Sequence, residues 1–225
     1  MHILIEEEGP SMIKYLVASI ISFVAVICGL LMHTELFYSF TVSSPTDNPT
    51  INWIIDAGHG GEDGGAISIT GVPESGINLQ IAKKIDYLFG FLGEPTLMLR
   101  NEDVSLYDDS ATTIREKKVS DLHYRTEITN HNQNATLLSI HQNTFSQPEY
   151  SGTQVFYAPT DGSQTLAEQL QCDIQTYLQP NNQRYAKLIY ETVYLMNHID
   201  NRAVLLECGF ISNPQEEKIL QETDY

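Results

Sequence analysis

Two histidines and two glutamates in this 225-residue sequence have the types and positions that hydrolytic metal chemistry needs. His59 follows the run INWIIDA, His141 follows ATLLSI, and Glu207 lies in RAVLLEC, while Glu74 stands in the turn before a helix. Zinc in hydrolases commonly takes three protein ligands and keeps a fourth position for water. A further carboxylate can accept the proton of that water and pass it to a leaving nitrogen. The four side chains together would supply a zinc site and a base.

The spacing of these residues leaves other interpretations open. The HExxH signature of many zinc proteases is absent, and a histidine at the end of a strand is often a hydrogen-bonded structural residue. The stretch around His59, DAGHGGEDGGA, is rich in glycine, as phosphate-binding loops are. It matches neither GxGxxG nor GxxxxGK[ST], so the pattern disfavours a nucleotide site.

The elements that must position these residues alternate between strands and helices. This alternation predicts an α/β fold with a twisted, mostly parallel central sheet and helices on both faces. In such a sheet, ligands bind beyond the carboxyl ends of the strands, where three of the four candidates fall. Strands are predicted at 51–57, 95–100, 135–143, 152–158 (an edge strand) and 202–210, and helices at 77–92, 121–130, 166–178 and 213–222. A further helix closing the sheet is expected but does not follow within the chain.

The N-terminal region differs in composition from the rest. Residues 15–32 (YLVASIISFVAVICGLLM) carry no charge and are long enough to cross a bilayer, which predicts a transmembrane or signal-anchor segment. Lys14 precedes it, so the positive-inside bias directs the C-terminal part out of the cytoplasm. A cleaved signal peptide is the alternative. The predicted organisation is a tail at 1–14, the apolar segment, a linker at 33–50 and a catalytic domain at 51–225.

The charge of the chain restricts its partners. The formal net charge is −17 at pH 7. Binding to nucleic acid or to another anionic polymer depends on basic patches, so no nucleic-acid partner is expected.

Four motifs together resemble a known enzyme family. DAGHGGEDGGA, PESGINLQIA, LLSIHQN and VLLECGFISNPQEE are similar, in order and in approximate spacing, to segments of the zinc-dependent N-acetylmuramoyl-L-alanine amidases of type 3. The similarity extends over about 52–220. It implies cleavage of the amide between N-acetylmuramic acid and L-alanine in peptidoglycan. It also implies a zinc ion bound by His59, Glu74 and His141, with Glu207 as the catalytic carboxylate.

A finer likeness points to the germination-specific and sporulation amidases of Gram-positive spore formers. The segments SDLHYRTEITN, SGTQVFY and ETVYLMNHIDNRAVLLECGF resemble that subgroup. The resemblance implies a role in forming muramic δ-lactam in the spore cortex, a downstream deacetylase, and an activating protein partner. The expected location is the extracytoplasmic face, membrane-anchored or secreted, in the forespore envelope. The alternatives are a zinc peptidase acting on stem peptides and an inactive amidase-like scaffold of the cell wall.

Other polar residues near the motifs have two interpretations each. Asp56 is expected either to orient the His59 imidazole or to shape the glycine loop through backbone hydrogen bonds. Arg125 is expected either to bind the carboxylate of the substrate or to form a structural ion pair. Glu62 and Asp63 lie near His59, but their place in the glycine loop predicts a solvated surface.

Overall fold

A six-stranded sheet flanked by helices forms the part of the protein that the computed structural model describes, residues 50–222. The strands are β1 (Trp53–Ala57), β2 (Thr96–Met98), β3 (Thr136–Asn143), β4 (Gln154–Tyr157), β5 (Lys187–Leu188) and β6 (Ala203–Phe210). The helices are α1 (Glu74–Leu92), α2 (Ile114–His131), α3 (Ser163–Asp173), α4 (Tyr194–Asn197) and α5 (Pro214–Leu220), and a π-helical turn, Ile174–Leu178, follows α3.

The strands lie in the order β2-β1-β3-β6-β4-β5. β4 runs antiparallel to β6, and every other neighbouring pair is parallel. The predicted α/β fold with a mostly parallel sheet is therefore confirmed. The prediction of an edge strand at 152–158 is wrong, because the two-residue strand β5 pairs with the outer side of β4. A strand so short leaves no recognisable alternation in the sequence.

Alternate side chains of the central strands enter two separate cores, one on each face of the sheet. Ile55, Leu138 and Val204 pack in the core that α1, α3 and α5 cover. Their sequence neighbours Ile54, Leu137 and Leu205 pack in the core on the side of α2 and α4. The near-continuous apolar runs of β1, β3 and β6 follow from this burial on both faces.

Helix α2 begins seven residues earlier than the sequence predicts, at Ile114. A capping box starts it: the backbone N–H of Glu116 donates to Thr113 Oγ1 at 3.2 Å, and the backbone N–H of Thr113 donates to the Glu116 carboxylate at 2.9 Å. The first two turns are mostly charged and show no apolar stripe, so the periodicity appears only from Asp121 onward.

The carboxyl ends of β1, β3 and β6 meet at one edge of the sheet, since these neighbouring strands are parallel. Each of these strands contributes a candidate residue at that edge. The predictions for the tail, the apolar segment and the linker concern residues 1–50 and lie outside the described residues, apart from Thr50. Within 50–222, no helix combines the length and the apolar content that a bilayer crossing needs.

Candidate metal centre and active site

His59 lies just beyond β1 in a backbone conformation that most residues avoid. Its φ of 62° is left-handed, a region in which histidine is tolerated better than bulkier residues. Two glycines make room for the site around it. A Cβ on Gly58 would lie 2.2 Å from His141 Nε2, and a Cβ on Gly65 would lie 2.6 Å from His59 Cδ2 and 2.5 Å from Glu74 Cγ. The glycines of this loop thus allow the candidate ligands to pack against the backbone.

Two buried arginines fix the backbone that carries His59. The Arg100 guanidinium donates to the carbonyls of Ala57 at 2.8 Å and Gly58 at 3.1 Å. Arg125 donates to the carbonyls of Ala57 at 3.1 Å and His59 at 2.9 Å. Three consecutive carbonyls are satisfied in this way, so the left-handed turn is held from two sides. Arg100 comes from the segment after β2, and sequence analysis missed it because no motif marks it.

Glu74 is the first residue of α1 and is 2% exposed. A carboxylate in the first turn of a helix is favoured by the partial positive charge of the helix N-terminus. Asn78, one turn later on the same helix, is fully buried and donates from Nδ2 to the Gly58 carbonyl at 3.2 Å. This hydrogen bond links the helix of Glu74 to the loop of His59.

His141 and Glu207 are direct neighbours across the parallel pair β3 and β6. The register of that pair shifts between His141 and Asn143, immediately after the two residues. Irregularities of this kind often occur beside active sites, where they redirect side chains. The two side chains therefore reach the same edge of the sheet from adjacent strands.

Donor atoms of His59, Glu74 and His141 converge on one point. All three lie within 4.8 Å of one another. Glu74 Oε1 lies 2.6 Å from His59 Nε2 and 3.2 Å from His141 Nδ1, and the centroids of the two imidazole rings are 5.0 Å apart. Two imidazole nitrogens and one carboxylate oxygen form a donor set that suits zinc and leaves a further coordination position open. The three residues that the sequence singles out are thus brought together, and their chemistry fits the predicted metal.

The electrostatics of this cluster also suit a cation. Burial would raise the pKa of Glu74, but His141 and His59 lower it to about 2, so the carboxylate is ionised at neutral pH. Burial would lower the pKa of His59, but hydrogen bonds to Asp63 and Glu74 raise it to about 9. His59 thus lies between two carboxylates, Asp63 and Glu74, whose negative charge favours a cation at this point.

Asp63 is the residue that orients His59. Its Oδ2 accepts from His59 Nδ1 at 2.9 Å, which leaves Nε2 facing Glu74 and His141. This is the usual arrangement for an imidazole that binds a metal, whose other nitrogen is held by a carboxylate. The side chain of Asp63 is 31% exposed, so the predicted solvated surface holds only in part, because one carboxylate oxygen binds the imidazole. The glycines around it allow the chain to turn back over four residues, which the sequence pattern did not reveal.

Asp56 does not orient His59. It is 1% exposed, and its carboxylate pairs with Arg125 and accepts from Ser139 Oγ at 2.6 Å. Of the two roles expected for Asp56, the contact with the imidazole is wrong. Its effect on the loop is indirect, because it holds the arginine that binds the Ala57 and His59 carbonyls.

Arg125 forms the structural ion pair, and the expectation that it binds substrate is wrong. Its side chain is 2% exposed. Nε donates to Asp121 at 2.6 Å, and the two terminal nitrogens donate to Asp56, to Asp121 and to the Ala57 and His59 carbonyls. A guanidinium has five N–H groups, and these contacts use all of them. No donor is left for a substrate carboxylate.

Glu207 Oε2 is the unusual polar atom of the site. It is shielded from solvent and has no hydrogen-bond partner among the described residues. Burial raises the pKa of Glu207 to about 7; Glu74 adds to the increase, and His141 and His59 oppose it. Buried carboxylate oxygens are rarely unpaired without a functional reason. This oxygen therefore has capacity to accept a hydrogen bond from a group that enters the site.

A cleft of about 290 Å³ opens beside these residues. His59, His141 and Glu207 line one part of it, and the segment 192–196 lines another. Met196 in that segment is fully buried and Leu195 nearly so, which ties the wall to the core beneath it. The cleft gives an extended ligand access to the candidate metal centre.

Comparison with known proteins identifies the family. The family model described as N-acetylmuramoyl-L-alanine amidase matches residues 54–225. The chain belongs to this family. The amidase is 31% identical over 172 residues to the germination-specific N-acetylmuramoyl-L-alanine amidase of Bacillus subtilis, a match that covers 76% of this chain and 71% of the relative. The predicted activity, hydrolysis of the amide between N-acetylmuramic acid and L-alanine in peptidoglycan, is confirmed at the level of the family.

Solved structures show the same relationship for the fold of the amidase. The CwlD amidase from Clostridioides difficile, solved in complex with the GerS lipoprotein, matches with a TM-score of 0.73 at 35% identity, covering 78% of this chain and 90% of that chain. An N-acetylmuramoyl-L-alanine amidase from Clostridium difficile 630 matches with a TM-score of 0.66 at 27% identity, covering 79% and 89% of the two chains. The predicted likeness to germination amidases is confirmed by the Bacillus subtilis relative.

Proposed function

We propose that the protein is a zinc-dependent amidase in which His59 Nε2, Glu74 Oε1 and His141 Nδ1 hold the metal. The observation that carries this proposal is the convergence of three donor atoms within 4.8 Å beside an unpaired Glu207 oxygen. Zinc, when bound, would polarise the scissile carbonyl and acidify a water molecule. The hydrogen bond from His59 Nδ1 to Asp63 would keep Nε2 free of a proton for this role.

Glu207 is the proposed general base and acid. Its Oε2 would accept a proton from the attacking water and then deliver that proton to the nitrogen of L-alanine as the amide bond breaks. A pKa near 7 suits a group that must both accept and donate a proton at neutral pH. The position of Glu207 beside His141 on the neighbouring strand supports a proton transfer close to the metal ligands.

The biological role that we propose is formation of muramic δ-lactam in the spore cortex. The germination-specific relative in Bacillus subtilis and the likeness to the CwlD amidase support it. Removal of the stem peptide would supply the substrate of a downstream deacetylase. The CwlD amidase was solved in complex with the GerS lipoprotein, which supports an activating protein partner for this chain.

The proposed location is the extracytoplasmic face of a Gram-positive bacterium. The substrate lies outside the cytoplasm, and relatives named as cell-wall or germination amidases support this location. The uncharged run at 15–32 would either anchor the protein in the membrane or direct its secretion.

Product analysis tests this function. Zinc-loaded protein is incubated with purified peptidoglycan, and the soluble fragments are identified by mass spectrometry. The amidase releases stem peptides with a free L-alanine amino terminus and leaves muramic acid without a peptide. Cleavage within the stem would instead identify a zinc peptidase. Intact peptidoglycan after treatment with folded, zinc-loaded protein would favour the inactive scaffold.

A further inference from the structure

Lys118 is a half-exposed cation that lines the cleft beside His59. Its side chain is 53% exposed. Its Nζ lies 3.2 Å from Asp63 Oδ2, the atom that also binds His59 Nδ1 at 2.9 Å. One carboxylate therefore separates the ammonium group from the candidate metal ligand.

The donors of the other basic side chains near the cleft are already used. All five N–H groups of Arg125 have acceptors inside the protein. Lys117, the neighbour of Lys118, lines an adjoining pocket and not the cleft itself. Its ammonium group binds the Glu62 carboxylate at 2.7 and 2.8 Å and lies 4.6 Å from the centre of the Tyr107 ring. An ammonium group has three N–H donors, and Lys118 directs one contact to Asp63. Among the described residues that line the cleft, Lys118 is the lysine or arginine with donors to spare.

The acid next to Lys118 does not compete for these donors. Asp121 also lines the cleft, but its carboxylate accepts from Arg125 at 2.6 Å and from the backbone N–H of Leu106 at 2.6 Å. The ammonium group is therefore free to bind an anion that enters from solvent.

We propose that Lys118 binds a carboxylate of the stem peptide, which makes the amidase selective for anionic stems. The proposal rests on the amidase function and names the part of the substrate that this site recognises. The residue after L-alanine in the stem is D-glutamate, with a free α-carboxylate, or its amide, D-isoglutamine. An extended residue spans about 3.3–3.6 Å, so this group lies on the order of 7 Å from the scissile carbonyl. This distance is compatible with an ammonium group that is separated from His59 by the Asp63 carboxylate.

A role confined to the protein itself predicts different behaviour. If Lys118 only neutralised Asp63, its loss would disturb His59 and lower activity on every substrate equally. If Lys118 binds the stem, its loss would lower activity on the anionic substrate more than on the neutral one. Specificity for one substrate over another is a ratio of kcat/KM values, so a pair of substrates separates the two roles.

The test compares two muropeptides that share the same glycan and differ only in D-glutamate or D-isoglutamine after L-alanine. The zinc-loaded full chain is expected to favour the D-glutamate substrate in kcat/KM by about tenfold, the scale of one charge-assisted hydrogen bond. Lys118→Gln should lose this preference, because it slows the D-glutamate substrate by about tenfold more than the D-isoglutamine substrate. Lys118→Arg should retain most of the preference, and Lys117→Gln, which removes the same charge outside the cleft, should retain all of it.

Salt provides a second readout, because the preference should shrink as ionic strength rises. Equal rates on the two substrates by the wild-type protein would overturn the proposal while leaving the amidase function intact. Equal slowing of both substrates by Lys118→Gln would overturn it in favour of the role in neutralising Asp63. Failure of the wild-type protein to cleave either substrate would instead contradict the amidase function itself.

Discussion

Asp63 lies four residues after His59, and its Oδ2 stands 2.9 Å from the Nδ1 of that imidazole. Because a carboxylate can only accept a hydrogen bond, the contact places the imidazole proton on Nδ1. The opposite nitrogen then faces Glu74 and His141, where the metal is proposed to bind. The glycine-rich loop therefore supplies both a ligand and the group that orients it.

Asp63→Asn is expected to weaken zinc binding by about 10- to 100-fold, the usual cost of losing the carboxylate partner of a ligating histidine. Zinc affinity is measured by competition with a coloured chelator. Glu62→Gln is the matched control, because Glu62 is the adjacent acid and pairs with Lys117 instead of His59. Equal zinc affinity in Asp63→Asn and wild type would show that Asp63 has no part in orienting the imidazole.

Gly58→Ala is expected to weaken zinc binding at least about tenfold, because a Cβ there would lie 2.2 Å from His141 Cε1 and Nε2. The imidazole would have to move away from the other two donors. Gly90→Ala in α1 is the control, since nothing lies within 4 Å of its Cβ position. That substitution should leave zinc binding unchanged and stabilise the fold by up to about 1 kcal/mol. Normal zinc affinity in Gly58→Ala would show that zinc binding does not require the observed position of His141.

Asp56→Asn is expected to reduce the free energy of unfolding at pH 7 by about 3 kcal/mol, because it removes one partner of a buried ion pair. Burial raises the pKa of Asp56, but Arg125, His141 and the Ser139 hydroxyl together bring it below its usual value. A lowered pKa stabilises the fold above the unfolded-state pKa, near 3.9, and this contribution is lost as the pH falls through the folded-state pKa.

The difference in stability between wild type and Asp56→Asn should therefore be constant near neutral pH and narrow only below about pH 4. Urea unfolding at a series of pH values measures it. Ser139→Ala, which removes one hydrogen bond to Asp56 but keeps the ion pair, should cost only about 1 kcal/mol. A difference that does not change with pH would contradict the assignment of a charged, buried pair.

The four main site residues can be predicted from the sequence because parallel α/β sheets bind ligands at the carboxyl ends of their strands. His59 follows β1, and His141 and Glu207 lie in the second halves of β3 and β6. The apolar runs of these strands are long enough to recognise, and parallel strands bring their carboxyl ends to one edge. Glu74 is found because it opens a helix with clear apolar periodicity. Strand order and the contact between particular side chains do not follow from those patterns.

The residues that support the site are missed, left between two roles or given the wrong role for physical reasons. Arg100 donates to backbone carbonyls of a distant segment. Such hydrogen bonds do not depend on the residue type of the acceptor, so they produce no recognisable sequence pattern. Arg125 has a polar side chain that usually lies at the surface, yet five acceptors hold it inside. Asp63 was assigned to solvent because the glycines around it do not reveal a turn toward His59. These contacts are long-range and depend on the folded backbone.

Glu207→Gln tests the central claim most directly, since it separates metal binding from proton transfer. The variant keeps the shape of the side chain and leaves His59, Glu74 and His141 in place. It should bind one equivalent of zinc with wild-type affinity and release stem peptides from peptidoglycan at least about a hundredfold more slowly. Near wild-type turnover would show that Glu207 does not carry the proton, and loss of zinc would show that it is a ligand instead.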